Sequence, residues 1–255
     1  MMIQLPINQI KQFKNEITRF MMMYKFALDE METRIEILVE EFQFLHEYNP
    51  IEHTKSRLKS PESILNKLYR KGGDISFPSI RNHIKDIAGL RITCSFISDI
   101  YVISELLKNQ SDLNVLEEKD YIKNPKPNGY QSLHLLIEVP VFMSDRQERV
   151  CMEVQIRTIA MDFWASLEHK IYYKYNLSKQ TVPARLLEEL KEAANAASAL
   201  DKQMERLHKE IEEIKEEQAE MSDEALNRII INNQQFALPK GLLELIDNGN
   251  NKLDK

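Results

Sequence analysis

The stretch that decides the fold reads Asn-Gly-Tyr-Gln-Ser-Leu-His at residues 128–134, and Glu-Val-Gln-Ile-Arg-Thr follows at residues 153–158. Each run places polar side chains beside apolar, β-branched sequence, which is typical of a buried strand. The residues between the two apolar segments, 143–149, are polar. Two apolar runs joined by a polar connection predict a β-hairpin, with its turn near Asp145.

The predicted hairpin brings chemically capable side chains together. With this turn His134 lies roughly opposite Gln155, and Tyr130 lies near the same end as Glu153. Because side chains alternate along a strand, Glu153, Gln155 and Arg157 share one face. A carboxylate, an amide and a guanidinium on one strand face, with a tyrosine and a histidine nearby, are expected to form a site.

The rest of the chain alternates between helical and strand patterns. Apolar residues at helical spacing predict one or two helices over 9–47, and Ser60-Pro61 is expected to begin a helix that stops at Gly72-Gly73. Further segments are a strand over 87–96, a helix over 99–109, a strand over 113–117, and a helix from 158 to about 175. The alternation predicts an α/β (α+β) fold in which a mixed β-sheet is flanked by helices.

The C-terminal third carries an apolar heptad pattern with 4-3-4-3 spacing. Its members are Leu186, Leu190, Ala193, Ala197, Leu200, Met204, Leu207, Ile211 and Ile214. The pattern predicts coiled-coil-like packing, either on the N-terminal helix or on another subunit. Assembly of subunits is favoured, because so long a stripe needs more cover than a small domain offers. The tail beyond Asp223 is expected to hold a short helix or two, followed by disorder.

Composition limits where the protein works and what it binds. No apolar run approaches the roughly 20 residues that span a bilayer, and the first residues lack the basic region of a secretory signal. Cys94 and Cys151, the two cysteines, lie in apolar runs and are expected to be free thiols of a cytoplasmic protein. The net charge is −6, yet residues 55–91 hold nine basic and three acidic residues. This lobe indicates a local polyanion site without general affinity for nucleic acid, or else a solvated helix face.

Four ordered runs carry a resemblance to a known family. Asp-Ile-Ala-Gly-Leu-Arg at 86–91 and Lys-Asp-Tyr-Ile at 119–122 join the two runs quoted above. Together they resemble the signature of RelA/SpoT-type (p)ppGpp synthetase domains, and the short chain is similar to small alarmone synthetases of the RelP/RelQ type. The resemblance implies a nucleotidyltransferase-like synthetase domain at 48–178. It also implies an N-terminal helical region at 1–47, a C-terminal helical oligomerisation region and tail at 179–255, and a homotetramer.

The activity that the resemblance implies is transfer of pyrophosphate from ATP to the ribose 3′-hydroxyl of GDP or GTP, with Mg²⁺ as cofactor. Asp86 and Glu153 are then the catalytic and metal-binding residues, and Glu153 also activates the 3′-hydroxyl. Both carboxylates are ligands suited to a hard cation. Taken alone, Asp86 would more often be a helix or strand cap.

The resemblance also distributes the nucleotide-binding residues. The residues that the resemblance assigns to ATP are Arg57, Lys59, Ser63, Lys67, Arg70 and Arg91. The Arg91 guanidinium is expected to stack on adenine. The residues that the resemblance assigns to the guanine nucleotide are Lys119, Lys126, Asn128, Tyr130, His134, Gln155 and Asp162. Tyr130 is expected to stack on the guanine base. Stacking needs the ring of Tyr130 and not its hydroxyl. On the sequence alone, Tyr130 fits a core aromatic and His134 a satisfied strand histidine equally well.

Two other functions remain open at this point. None of the six histidines is followed by aspartate, so the hydrolase motif of the larger relatives is missing and a synthetase alone is expected. The first alternative is a toxin-type enzyme that pyrophosphorylates the 3′ end of tRNA, which the acidic C-terminal helix disfavours. The second is a catalytically inactive nucleotide- or RNA-binding regulator, which the intact Asp86 and Glu153 disfavour.

Overall fold

The computed structural model describes residues 7–46, 48–177, 183–220, 228–231 and 234–237. Within these ranges a five-stranded mixed sheet has the strand order β1-β2-β5-β4-β3, which confirms the predicted fold class. In chain order the elements up to residue 220 are α1 (Ile7–Leu45), β1 (Ile51–Leu58), α2 (Pro61–Arg70), α3 (Phe77–His83), β2 (Ala88–Cys94), α4 (Ile97–Lys108), β3 (Asn114–Asp120), β4 (Leu133–Phe142), β5 (Gln147–Thr158), α5 (Ile159–Leu177) and α6 (Ala184–Glu220).

The predicted hairpin is confirmed as β4 and β5, with its turn beyond the paired residues Phe142 and Gln147. The Met143 amide donates to the Arg146 carbonyl at 2.8 Å and closes the turn. His134 pairs with Gln155, as the pattern predicted. The other neighbour of β5 is β2, which runs parallel to it and reaches it by a crossover. The hairpin therefore forms the centre of the sheet.

One face of the sheet is closed by apolar packing. Val154 and Ile156 of β5 are fully buried, as are Leu133 and Leu135 of β4. The long helix α1 packs against the central strands and contributes Ala27, Met31 and Ile35 to the same core. Because neighbouring side chains alternate, burial of this face leaves the other face of β2, β4 and β5 available for polar residues.

Two elements depart from the sequence prediction. The edge strand β1 has one buried residue, Ile51, followed by seven exposed ones, so it carries no alternating apolar signal. It forms because its backbone pairs antiparallel with β2 from Ile51 to Leu58. The short helix α3 was also missed, although Ser76 caps it by accepting from the Ser79 amide. The strand β1 therefore depends on tertiary pairing, whereas α3 carries a local signal in its Ser76 cap and in Pro78 of its first turn.

Helix boundaries follow local capping. Ser60 caps α2, with Pro61 at the first position, as predicted. The strand expected over 87–96 ends at Cys94, because Phe96 becomes the N-cap residue of α4 and its amide donates to Asp99 Oδ2 at 2.9 Å. The N-terminal prediction of one or two helices resolves into one, α1.

The C-terminal helix α6 packs mainly on α5 and α4. Ala194 and Asp201 face the domain and are buried. Beyond α6, the prediction of helix is wrong for residues 228–231 and 234–237, because β6 (Arg228–Ile231) and β7 (Gln234–Ala237) form an antiparallel pair. The β-branched run Ile229-Ile230-Ile231 explains the strand. The disorder predicted after the expected helices lies outside the described residues, as do residues 221–227, 232–233 and 238–255.

Two smaller predictions are tested by the same structure. Both cysteines are free thiols; Cys94 is buried and Cys151 is half-buried. Among the helices that the structure describes, none combines the length and apolar character required to cross a membrane.

Candidate active site

The open face of the sheet aligns the predicted site residues in rows that cross several strands. One row joins Lys55 of β1, Arg91 of β2, Gln155 of β5, His134 of β4 and Lys119 of β3, each the register partner of the next. Residues predicted for ATP thus lie on the β1–β2 side, and residues predicted for the guanine nucleotide lie on the β4–β3 side.

A second, adjacent row marks the boundary between the two sides. Arg57 of β1 pairs with Gly89 of β2, and Gly89 pairs with Glu153 of β5. Gly89 carries no side chain, so the open face has a gap between the Arg57 cation and the Glu153 carboxylate. The rows place Glu153 at the middle of the sheet, where a group passing from one side to the other must cross.

Asp86 lies just before β2 and is held by two lysines. Its Oδ2 accepts hydrogen bonds from Lys59 Nζ at 2.9 Å and from Lys67 Nζ at 2.7 Å. Its Oδ1 is buried and has no hydrogen-bond partner. Burial alone would raise the pKa of Asp86, but the hydrogen bonds from Lys67 and Lys59 outweigh burial and lower that pKa. Asp86 is therefore a carboxylate with one oxygen ready for a further partner.

The donor set fits a magnesium ion. Asp86 and Glu153 line one cavity of about 210 Å³, together with Lys67, Lys119 and His134. No cluster of three or more histidine, cysteine, aspartate or glutamate residues occurs in the described part of the chain. Mg²⁺ is commonly bound by one or two carboxylates, with waters and substrate phosphates completing its shell. Two carboxylates, one of them with an unpartnered oxygen, match that pattern better than a cage made wholly of protein ligands.

Glu153 belongs to a closed ring of hydrogen bonds on the open face. Its Oε1 lies 3.2 Å from His134 Nδ1, and its Oε2 accepts from Gln155 Nε2 at 2.7 Å. His134 Nε2 lies 2.7 Å from the Tyr130 hydroxyl. Arg157 completes the ring, since its NH2 donates to the Tyr130 hydroxyl at 2.5 Å and to Gln155 Oε1 at 2.7 Å.

The ring sets the charge state of its carboxylate. Burial alone would raise the pKa of the Glu153 carboxyl, but hydrogen bonds from His134 and Gln155 outweigh burial and hold that pKa below its usual range. Glu153 is therefore ionised at neutral pH, as both a metal ligand and a proton acceptor must be.

The Tyr130 loop is shaped by its neighbours. Gly129 adopts a left-handed φ of 87°, which favours glycine. The Asn128 side chain accepts from the Tyr130 amide at 3.2 Å and donates to Glu168 Oε1 of α5 at 3.1 Å. Lys126 Nζ lies 4.6 Å from the centre of the Tyr130 ring. The loop thus presents an aromatic ring with a cation beside it, and the hydrogen bond from Asn128 to Glu168 anchors the loop to α5.

Asp162, in the first turn of α5, contacts both sides of the site. Its Oδ1 lies 2.8 Å from Arg91 NH1 and 3.3 Å from Arg157 NH1, and its Oδ2 lies 3.9 Å from Lys55 Nζ. Asp162 thus contacts Arg91, which was predicted for ATP, and its assignment to the guanine nucleotide stays a prediction. Arg91 also has a buried Nε without a hydrogen-bond partner.

The remaining predicted residues lie at the two edges of the site, on β1 and α2 at one edge and on β3 at the other. Arg57 and Arg70 are exposed, and Ser63 lies at the N-terminus of α2, where its hydroxyl accepts from Ser60 at 2.9 Å. At the other edge Lys119 pairs with Glu117 at 2.8 Å.

Sequence reasoning missed three residues of the site. Arg157 was placed on the correct face but was given no role, Ser132 was overlooked, and Lys55 was counted only as part of a basic lobe. The signal for Arg157 was present, because a buried arginine must be paired and its alternation with Glu153 points it at the same site.

Comparison with known proteins identifies the family. Residues 56–178 match the family model described as a region found in RelA / SpoT proteins. The chain is 55% identical over 203 residues to the GTP pyrophosphokinase YwaC of Bacillus subtilis (strain 168), covering 80% of this chain and 93% of the relative. The four-motif resemblance is thus confirmed, and the chain belongs to the RelA/SpoT family.

Solved structures narrow the family to one class. The crystal structure of small alarmone synthetase 2 from Bacillus subtilis is similar with a TM-score of 0.68 and 55% identity, covering 78% of this chain and 99% of that one. Small alarmone synthetase 1 from the same organism, bound to its product pppGpp, gives a TM-score of 0.70 and 35% identity, over 77% and 98% of the two chains. The similar structures are small alarmone synthetases.

Proposed function

We propose that this chain is a (p)ppGpp synthetase, which transfers pyrophosphate from ATP to the ribose 3′-hydroxyl of GDP or GTP and releases AMP. The observation that carries the proposal is the position of Asp86 and Glu153 in one cavity, between a cation-rich side and the Tyr130 loop. The similarity to a relative named GTP pyrophosphokinase, and to a synthetase solved with pppGpp, supports the same activity.

The β1–β2 side binds ATP in this proposal. Lys59 and Lys67 project toward Asp86, and Arg57, Ser63 and Arg70 surround the same edge. These cations and the N-terminus of α2 neutralise the triphosphate. Arg91, held through Asp162, offers a planar guanidinium to the adenine ring, and its unpartnered Nε is available to the nucleotide.

The β4–β3 side binds the acceptor. The Tyr130 ring stacks on guanine, and Lys119 and Lys126 supply charge for the 5′-phosphates. Asn128, His134 and Gln155 lie around the Tyr130 side chain and are placed to contact the ribose of the acceptor. The basic lobe at residues 55–91 thus acts as one half of a nucleotide site, and the solvated-face alternative is set aside for Lys59 and Lys67, which are bonded to Asp86.

Asp86 and Glu153 would hold Mg²⁺, and the unpartnered Oδ1 of Asp86 is the atom that supports this assignment. When bound, the ion supplies charge neutralisation for the phosphate oxygens that gain charge during transfer.

The transfer step exchanges one phosphorus–oxygen bond for another. The 3′-oxygen of the acceptor forms a bond to the β-phosphorus of ATP, while the bond between that phosphorus and the α,β-bridging oxygen breaks. The bridging oxygen leaves with AMP, and Glu153 accepts the proton of the 3′-hydroxyl. Lys59 and Lys67 stabilise the negative charge on the phosphates, so positioning and electrostatics provide most of the catalysis.

We also propose that the chain assembles into a homotetramer through the heptad stripe of α6. Leu200 is 53% exposed in the single chain, and Met204, Leu207, Ile211 and Ile214 are exposed to a similar extent. The stripe stays exposed while α6 packs mainly on α5 and α4, and this supports the second of the two predicted partners, another subunit. The three-region division at residues 47 and 178, and a location in the cytoplasm, stay predictions.

The test uses ATP labelled on the β-phosphate, because transfer of the γ-phosphate alone would leave that label on ADP. The native chain is incubated with Mg²⁺ and GDP, GTP or deacylated tRNA. We expect label in ppGpp or pppGpp, with one AMP formed per product. Label in tRNA alone would favour the toxin-type alternative. Binding of both nucleotides without any transfer would indicate the inactive regulator.

A further inference from the structure

Arg157 is a buried cation at the centre of the site for which the proposed chemistry has no direct use. Only 4% of its side chain is exposed. All three guanidinium nitrogens are engaged: Nε donates to Ser132 Oγ at 3.3 Å, NH1 to Asp162, and NH2 to Tyr130 and Gln155. A buried charge is retained when paired in this way, but full pairing alone does not explain why its partners are the proposed substrate-binding residues.

The chemistry of the groups fixes the direction of the hydrogen bonds at both ends of the ring. An arginine can only donate and an ionised carboxylate can only accept. Arg157 therefore donates to the Tyr130 hydroxyl, and His134 Nδ1 donates to Glu153. The contact between the Tyr130 hydroxyl and His134 Nε2 joins these two bonds into one branch. On the other branch Arg157 donates to the Gln155 carbonyl oxygen, and the Gln155 amide donates to Glu153.

Both branches therefore run from Arg157 to Glu153 without a mismatch. Each oxygen of Glu153 receives one hydrogen bond, and each bond begins at a group whose orientation Arg157 sets. If the guanidinium is lost, Gln155 is free to turn its amide, and the Tyr130 hydroxyl loses the donor that holds it in place. The Tyr130 ring and the Glu153 carboxylate would then both lose their single orientation.

We infer that Arg157 is a positioning residue, which holds the guanine platform Tyr130 and the transfer carboxylate Glu153 in one geometry. The inference rests on the proposed (p)ppGpp synthetase function. Asp162 keeps the guanidinium in place and binds Arg91 through the same oxygen. Arg157 thus acts on the acceptor side and on turnover, whereas Arg91 and Asp162 still meet when Arg157 is replaced.

The experiment compares Arg157→Lys with Arg149→Lys. The first keeps the charge but loses the planar fork that reaches several partners at once. The second is the matched control, because Arg149 lies on the same strand with the same alternation and is exposed. Steady-state kinetics for GDP and ATP, the melting temperature, and the affinity for α,β-methylene ATP are measured for both and for the native chain. Tyr130→Phe, alone and combined with Arg157→Lys, completes the set.

We expect Arg157→Lys to lower kcat/KM for GDP by about a hundredfold, while the affinity for the ATP analogue changes by less than about threefold. Tyr130→Phe should lower kcat/KM for GDP by about tenfold, because its hydroxyl joins Arg157 to His134. The double variant should lose no more than about twofold beyond Arg157→Lys, since the two changes break the same link. Arg149→Lys should match the native chain.

Several outcomes would overturn the inference while leaving the function intact. One is a folded Arg157→Lys enzyme whose kcat/KM for GDP stays within about threefold of native. Another is equal loss of affinity for both nucleotides with a lowered melting temperature, which indicates a structural ion pair. If Arg157→Lys does not fold, the Tyr130→Phe variant provides the test. Native-like kinetics in Tyr130→Phe would contradict the role given to the ring of hydrogen bonds. A native chain that makes no (p)ppGpp overturns the proposed function itself, and this inference with it.

Discussion

The open face of the sheet and the outer face of α6 are both incomplete in the single chain, but in opposite chemical senses. On the open face most polar groups are paired, and the unpaired ones in the described residues are single buried atoms, such as Asp86 Oδ1, Arg91 Nε and Thr93 Oγ1. On α6 the side chains without cover are apolar, with Leu200 and Leu207 53% and 43% exposed. Missing hydrogen-bond partners indicate a polar ligand or a metal, whereas missing apolar contacts indicate another protein surface.

The free energy gained when each kind of gap is filled differs as well. A buried polar atom without a partner costs about 1–3 kcal/mol, and it can be satisfied by one well-placed ligand atom. A large apolar side chain gains about 1.5–3 kcal/mol when it passes from exposed to fully buried, and each of the five stripe residues, about half exposed, would gain about half of that in an interface. Substitutions on the open face should therefore affect chemistry, and substitutions on the stripe should affect assembly.

The largest effect is expected at Asp86. Asp86→Asn replaces one carboxylate oxygen by an amide that cannot bind a metal well, and it leaves Lys59 and Lys67 with a weaker partner. Product formation should fall by at least about a thousandfold, and removal of Mg²⁺ with EDTA should do the same to the native enzyme. Asp145→Asn, in the hairpin turn, is the control and should be fully active. Full activity of the native chain without divalent metal would rule out the proposed metal site.

Glu153→Gln is expected to have the next largest effect. The substitution keeps the size of the side chain but removes the charge and the ability to accept the 3′-hydroxyl proton. Turnover should fall by at least about a hundredfold, while the melting curve stays cooperative. The control is Glu138→Gln, on the neighbouring strand β4. Turnover close to native in Glu153→Gln would remove Glu153 from the transfer step.

Gly129→Ala tests the contact between the Tyr130 loop and the buried side of α6. An added Cβ would lie 2.5 Å from Ala194 Cβ of α6, and the left-handed φ disfavours alanine by about 1–2 kcal/mol. We expect kcat/KM for GDP to fall by about tenfold or more, with partial recovery in the double variant Gly129→Ala, Ala194→Gly. Gly72→Ala is the matched control, because its φ is also positive but no atom lies within 4 Å of the added carbon. No change in GDP kinetics for Gly129→Ala would mean that α6 does not constrain the loop.

The smallest effect on chemistry is expected from Leu200→Asp combined with Leu207→Asp. Both side chains are already exposed in the single chain, so the monomer should stay folded and turnover should change by only a few-fold. Burial of two charges in a subunit interface is strongly unfavourable, so sedimentation should shift from the tetramer to the monomer. Leu187→Asp, on the same helix but outside the stripe, should leave the assembly intact. A native chain that sediments as a monomer at micromolar concentration would disprove the assembly proposal.

The sequence predicted the centre of the sheet better than its edge. The strands β4 and β5 carry continuous alternation, so their register and the shared face of Glu153 and Gln155 follow from side-chain geometry alone. The edge strand β1 has no such pattern, because its exposed face and its exposed edge both permit polar residues. It becomes a strand only when β2 is beside it, and single-sequence patterns do not contain that information.

The candidate site shows the same division between local and distant information. The motifs identified Asp86, Tyr130 and Glu153, but not how their side chains are connected. The Tyr130 hydroxyl was expected to be dispensable, since stacking needs only the ring. In the structure it bonds Arg157, and Arg157 lies 27 residues further along the chain. Hydrogen bonds across the sheet depend on register and on rotamers, so they appear only once the strands are assembled.

Gly89 shows how a protein can specify a distance by leaving a side chain out. A methyl group there would meet nothing closer than 3.9 Å, namely backbone oxygens of Arg57 and Glu153, so the fold itself has room for alanine. Neighbouring strands are about 4.8 Å apart, so Arg57 on β1 and Glu153 on β5 are separated by roughly 10 Å, with only the bare backbone of Gly89 between them. In the proposed function this bare strip leaves room for the phosphate chain between donor and acceptor. Folding does not demand glycine at this position, so the proposed reactants are the reason that we assign to it.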